Sequence, residues 1–278
     1  MRDLEMSYYN IYHYCNVADN LISYFTCDIE WAPTGAQFTD AFFADQPENF
    51  RKYSALHEFC EFVIDRLLYE ETHKQLQRIQ DEYDKYDKTL DKRLRLQKAF
   101  CYDKRFTAST KIEIDYLFDY LGIKHKAFFD FLLESNFTLI EDSYDEFIEF
   151  DSVLGDVVLQ LSKEMFYVLF QNRDFLLKFN LYLSYSNHYD MERCSIPFWA
   201  KRAVKYRDKG RCVFCGADLS GLLDVEDDRS VHYDHIVPLH EGGINDISNL
   251  QLLCQHCNTS KKATILTSNK YKDWYDMD

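Results

Sequence analysis

Two Cys-x-x-Cys pairs, Cys212–Cys215 and Cys254–Cys257, constrain this chain more than any other feature. Each pair can present two thiolates from one tight turn, and two pairs can close a tetrahedron around one zinc ion. The second pair follows the first after thirty-eight residues, a longer gap than a plain zinc ribbon has, so further structure lies between them. With sulfur at all four positions the ion has no open place for a reacting water, which makes it a staple and not a catalyst. Such pairs read as metal ligands in a reducing compartment. The other five cysteines, Cys15, Cys27, Cys60, Cys101 and Cys194, stand singly and read as small buried apolar residues.

Ahead of the first pair the chain reads as helical. Only 8 Gly and 4 Pro occur in 278 residues, too few for a many-turned β-fold, while 22 Phe and 21 Tyr can fill a sizeable core. Phe50, Tyr53, Leu56, Cys60, Val63 and Leu67 recur at spacings of three and four, the mark of one apolar helix face. Pro47 suits the first turn of that helix. A charged stretch follows to about Phe100 with a thinner apolar stripe, read as a solvated face. A second helical region runs from Ser109 to Ser135 with Gly122 as a C-cap, and a third from Val153 to Tyr182. Tyr116–Ile123 followed by Phe128–Leu133 has the outline of a helix-turn-helix. Its second helix is acidic and aromatic, however, which fits a core element better than a groove reader. The polar run Tyr185–His188 and Pro197 place the boundary between 1–190, an acidic helical domain, and 195–278.

Charge divides the chain at the same place. From Ala200 onward there are 11 basic and 12 acidic residues, against 21 basic and 35 acidic before it, so the first part carries −14 and the second −1. The first part should repel phosphate backbones, and nucleic-acid contacts should come from the second. The most apolar stretch, Met165–Phe170, is far shorter than the roughly 20 residues a membrane span needs. With an acidic start and no signal-peptide core, the expectation is a cytoplasmic protein with no membrane partner.

Between the cysteine pairs, Val231–Leu239 reads as a strand ending at Pro238, Glu241-Gly242-Gly243 as a turn, and Leu250–Leu253 as a second strand. The second pair opens a helix from Cys254 to about Lys262. Asp234-His235-Ile236-Val237-Pro238 lies in the first strand, Asn249 comes fourteen residues after His235, and Asn258 nine after that. Taken with Arg211-Cys212 to Cys215-Gly216 and Asn249-Leu250-Gln251-Leu252-Leu253-Cys254 to Cys257-Asn258, this resembles the HNH, or ββα-metal, endonuclease family in its four-cysteine branch. The resemblance spans about Ile196 to Ala263. It implies a mainly α protein whose helical N-terminal domain is joined to a small zinc-stapled ββα-metal nuclease domain.

The resemblance also assigns roles. His235 would accept the proton of the attacking water, and Asp234 and Asn258 would hold one hydrated Mg²⁺ or Mn²⁺ ion against the scissile phosphate. Asn249 would fix the loop that carries His235. Adjacent residues of a regular strand face opposite ways, so Asp234 and His235 could serve one phosphate only through a local twist. His232 and His240 flank the site and could contact phosphate or order the loop, and His256, between the zinc cysteines, reads as exposed or as a support for the zinc ligands; structural roles are favoured for all three. Upstream, Lys201, Arg202, Lys205, Arg207, Lys209 and Arg211 crowd eleven positions, with Lys201, Lys205 and Lys209 on one helix face. Together with Lys261 and Lys262 they form a candidate phosphate-gripping surface. The expected function is therefore a metal-dependent endonuclease acting on DNA, with family habit pointing to defence against foreign DNA. A zinc-stapled module that binds nucleic acid or assembles without cutting is the alternative. The acidic domain would regulate the nuclease, self-associate, or recruit a partner subunit.

Overall fold

The computed structural model describes residues 11–27, 32–44, 49–101, 110–151, 154–221 and 231–268. Pro47 and Ser109 lie outside them. The fold is mainly helical. In chain order the helices are α1 (Ile11–Cys27), α2 (Ala32–Phe42), α3 (Ala55–Lys85), α4 (Lys92–Phe100), α5 (Glu113–Tyr120) and α6 (Phe128–Glu134). They continue with α7 (Ile140–Asp151), α8 (Leu154–Gln171), α9 (Arg173–Ser186) and α10 (Phe198–Arg207), and after the strands β1 (Val231–His235) and β2 (Leu250–Cys254) the last is α11 (Gln255–Lys261). None of the described helices is long and apolar enough to cross a membrane.

The chain forms two compact units, one of Met1–Ile11 and Glu61–Ser162, the other of Tyr12–Cys60 and Lys163–Asp278. This division differs from the expected one into 1–190 and 195–278. The four-cysteine segment shares its unit with α1, α2, α9 and the first turn and a half of α3.

In the first unit Asp115 ties two helices together. Its fully buried carboxylate accepts the N–H of Ile112 at 2.9 Å, at the start of α5, and of Phe128 at 3.0 Å, at the start of α6. Both bonds satisfy donors that a helix start leaves open. Desolvation nevertheless raises the carboxyl pKa. Phe128, Phe129 and Leu132 of α6 are all buried. That face is spent on the core, where Phe128 meets Phe147 at 5.2 Å between ring centroids, so α6 is no recognition helix.

Two expected helix boundaries move for local reasons. Phe50 has φ +50°, and Tyr53 also precedes α3, so the three-and-four spacing begins in a turn. The stretch expected to be one helix to Tyr182 breaks at Asn172, whose side chain accepts the N–H groups of Asp174 and Phe175 and caps α9. Apolar periodicity runs through the break because both helices bury the same kind of face. Of the single cysteines, Cys15 and Cys60 are buried, but Cys101 is exposed and Cys194 partly so.

In the second unit α2, α3 and α9 meet through aromatic side chains. Phe59 packs against Phe38 and Phe179, each at 5.2 Å. The two strands pair antiparallel, with Val231 opposite Cys254 and His235 opposite Leu250. β2 is buried along its whole length.

Candidate functional site

The four cysteines come together as their spacing requires. Their sulfur atoms all lie within 4.8 Å of one another, and those of Cys215 and Cys254 are 3.8 Å apart. Zinc–sulfur bonds of about 2.3 Å arranged tetrahedrally place sulfurs about 3.8 Å apart, so the donor set fits one zinc ion. The first pair is folded by its own backbone, with Cys212 N–H on Ala217 O and Gly216 N–H on Cys212 O. Val213 N–H donates to Leu252 O and fastens this turn to β2. Burial pushes the Cys212 thiol up, but the N–H groups of Cys215, Cys254 and Phe214 outweigh it and hold the thiol at about 7, close to the thiolate that a metal needs.

β1 presents Asp234 and His235, and the ladder runs through both residues one to one. No bulge turns them to the same side, so they alternate as in any regular strand. Asp234 shares its face with His232. Its Oδ2 takes the Lys261 ammonium at 2.9 Å and the Gln251 amide at 3.2 Å. The Asn258 amide lies 3.2 Å from His232 Nδ1. Asn258 and Lys261 are three apart on α11, so this helix covers the His232–Asp234 face. Asp234 and Asn258 thus border one patch, while their hydrogen bonds go to different partners.

His235 is buried, and its Nε2 lies 3.1 Å from Asn245 Oδ1. The orientation of Asn245 follows from its other contacts. Its Nδ2 is 2.8 Å from the main-chain oxygen of Glu192, which can only accept, and 2.6 Å from Asn49 Oδ1. The amide nitrogen must therefore face Glu192 and the oxygen must face His235. It follows that Nε2 carries the imidazole proton and Nδ1 keeps the lone pair. Burial lowers the His235 pKa most, and Arg193 and Lys261 act the same way, against Asn245 and Asp234. The neutral ring is favoured.

Asn249 clasps the loop after His235. Its Oδ1 accepts Val237 N–H at 2.9 Å, and its Nδ2 donates to Val237 O at 2.9 Å and Ile244 O at 3.0 Å. The loop passes so close that a Cβ on Gly243 would sit 2.1 Å from Val237 O and 2.9 Å from Asn249 Nδ2. The same loop is anchored from elsewhere in its unit. Phe50 N–H donates to Asn245 O, Ala55 N–H to Asp246 Oδ2, and Asn180 Nδ2 to Ser248 O.

The basic residues separate into three groups. Lys201 and Lys205 lie on α10, but Lys209 falls in the turn beyond it, with φ +55°. Lys209, Arg211 and Lys262 are exposed. Lys261 is not part of that surface, since its ammonium is buried between Asp234 and His235 O. Arg207 also leaves the basic run. It is fully buried, paired with Asp208 at 2.9 Å, and lies over the Phe170 ring. Asp208 also accepts Leu252 N–H at 2.9 Å and Arg173 at 3.3 Å, which fixes α10 and α9 to β2. His256 is exposed. Asn245 and Asn49, which hold the His235 ring, had no signal in the sequence, because an asparagine in a polar loop is unremarkable and its partner lies 196 positions away.

Residues 212–264 match the family model described as HNH endonuclease. The match covers the cysteine pairs and everything between them, and none of the helices α1 to α10. No curated protein and no solved structure matches the chain.

Proposed function

We infer that the HNH endonuclease domain of residues 212–264 hydrolyses phosphodiester bonds, with DNA as its substrate. The observation that carries this reading is the state of His235. An obligate acceptor takes Nε2–H, the ring is buried and neutral, and Nδ1 is left as a base. A base within hydrogen-bond reach of the attacking water contributes about 10²–10⁴ in rate.

The oxygen donors of Asp234 and Asn258, bordering one patch, suit a hard divalent ion such as Mg²⁺ or Mn²⁺. When bound, that ion would neutralise charge on the phosphate and assist the leaving oxygen. Because the ladder keeps Asp234 and His235 on opposite faces, serving one phosphate requires the end of β1 to twist when substrate binds. His235 accepts the proton of the water. Asn245 holds the ring and its tautomer, and Asn249 holds the backbone at Val237, two residues on. The zinc cysteines keep β1, β2 and α11 in register. A role in defence against foreign DNA is consistent with a nuclease joined to a large acidic helical portion.

The Asp234–Lys261 ion pair favours a second reading, in which the module binds without cutting, since an ammonium already neutralises the carboxylate. Incubation of the purified chain with supercoiled plasmid, single-stranded DNA and RNA in Mg²⁺ or Mn²⁺ separates the two. Nicking by the wild type that disappears in His235→Ala supports the nuclease. Binding with no cleavage under either metal rejects it.

A further inference from the structure

One face of α10 belongs neither to the zinc site nor to the core. Trp199, Arg202 and Tyr206 recur on it at helical spacing. With Tyr167 at the end of α8, Lys205 and Lys209, they line an open cleft of about 1040 Å³. Tyr206 is 74% exposed and Tyr167 43% exposed. Three cations and three large aromatic rings face this space, and among the described residues no acid lines it. In a chain of net charge −15 this is a local reversal of sign. Lys205 donates to Ser220 O at 3.0 Å, which uses one of its three ammonium protons. Farther along α10 the Lys201 ammonium stands 5.9 Å from the Tyr233 ring of β1, so the helix leads to the strand that carries Asp234 and His235.

We propose that this cleft binds an unpaired stretch of polynucleotide, with bases stacked on Tyr206 and Tyr167 and phosphates against Arg202 and Lys209. The proposal rests on the nuclease reading and deepens it, because it specifies a substrate with unstacked bases. Exposed rings explain the choice of an unpaired strand. In a duplex the base faces are already stacked and offer the tyrosines nothing, whereas every unpaired base has a free π-face. Cations alone would serve a duplex equally well. The aromatic residues and Arg202 would suit a protein partner too, but three cations with no acid among the described lining residues favour a polyanion.

The test measures binding by fluorescence anisotropy, using the full chain with His235→Ala throughout so that nothing is cut. The probes are a labelled single-stranded oligonucleotide and the same oligonucleotide in a duplex. The single strand should bind more tightly at equal salt. Tyr206→Ala should weaken it by about 5- to 150-fold, the worth of one stacked base, and Tyr206→Phe should restore it. Duplex binding should not change. Arg202→Ala should weaken both probes and lower the salt slope by about 1. Equal binding of the two probes, no effect of Tyr206→Ala, or competition by inorganic polyphosphate as strong as that by unlabelled oligonucleotide at equal charge would each overturn the proposal. Tyr206-dependent binding in a protein whose wild type cuts nothing would keep the cleft and reject the nuclease. Plasmid nicking with Tyr206-independent binding would do the reverse.

Discussion

Replacing Asn245 with alanine removes the acceptor that orients the His235 ring without touching the ring itself. The 3.1 Å bond from Nε2 is buried, and its loss leaves a donor without a partner inside the protein. A buried unsatisfied donor costs about 1–3 kcal/mol, and the ring can relieve that cost only by turning or by moving its proton to Nδ1. Either response takes the lone pair away from the water. At about 1.4 kcal/mol per factor of ten, the population with a correctly placed base falls about 5- to 150-fold. Loss of the base itself in His235→Ala costs about 10²–10⁴-fold, so Asn245→Ala should lie between that variant and the wild type. Asn49→Ala should be milder than either, because the Glu192 carbonyl still holds the Asn245 amide. The assay is the initial rate of plasmid nicking against substrate concentration, with zinc content and thermal melting measured on the same samples. Asn245 acts through His235, so the loss should appear in kcat with KM unchanged. If Asn245→Ala nicks within twofold of wild type while folded and zinc-loaded, the orienting role is refuted.

Three further outcomes are expected. Cys212→Ser or Cys257→Ser should lose the zinc and melt the segment from β1 to α11, since a structural zinc site contributes about 10–16 kcal/mol of apparent binding energy; metal analysis that finds no zinc in the pure wild type would contradict the four-sulfur site. Gly243→Ala should displace the loop from Val237 and Asn249, because the added Cβ meets backbone oxygen at 2.1 Å, and it should lower the melting temperature and the nicking rate together; an unchanged melt would show that the loop yields freely. His57, stacked between Tyr53 and Phe166, has its pKa lowered by burial, with a further contribution from Lys163, from 6.5 to about 4. A lowered histidine pKa means that the unfolded chain takes up the proton first, so this stability is fully present above pH 6.5 and is lost as pH falls towards 4. The difference amounts to about 3 kcal/mol at most, and urea midpoints of wild type and His57→Phe should therefore converge between pH 7 and pH 4.5; parallel pH curves would exclude His57 as the source.

The parts of the site that could be read in the sequence are those whose partners are close in the chain or whose chemistry permits one arrangement. Two Cys-x-x-Cys pairs have few other uses, and Asp234-His235 with Asn249 lies within one strand-loop-strand unit. Charge proved a poorer guide than ligand spacing. Arg207 and Lys261 each sit among exposed basic neighbours, yet both are buried against carboxylates, because one helix face turns inward and composition does not record which. Asn172 interrupts a long apolar pattern without changing its period, so the break between α8 and α9 could not be found from periodicity. The orienting chain from His235 through Asn245 to Asn49 spans 196 positions, and no local window contains it.

That span bears on when the His235 ring is put in place. The loop beside His235 takes hydrogen bonds from Phe50, Ala55 and Asn180, so its geometry depends on residues far earlier in the chain, 191 positions away for Ala55 and 68 for Asn180. Contacts of such high sequence separation carry a large loop-closure cost and slow folding. A ribosome adding residues in order will have released α1, α2 and α9 well before β2 and α11 emerge. The zinc turn can close as soon as Cys257 is out, but the imidazole is held only once the loop has docked against residues 49–55. Placement of the ring thus waits on a long-range docking step that the four-cysteine turn does not need, and on the proposed nuclease reading a partly made chain would carry that turn without an aligned base.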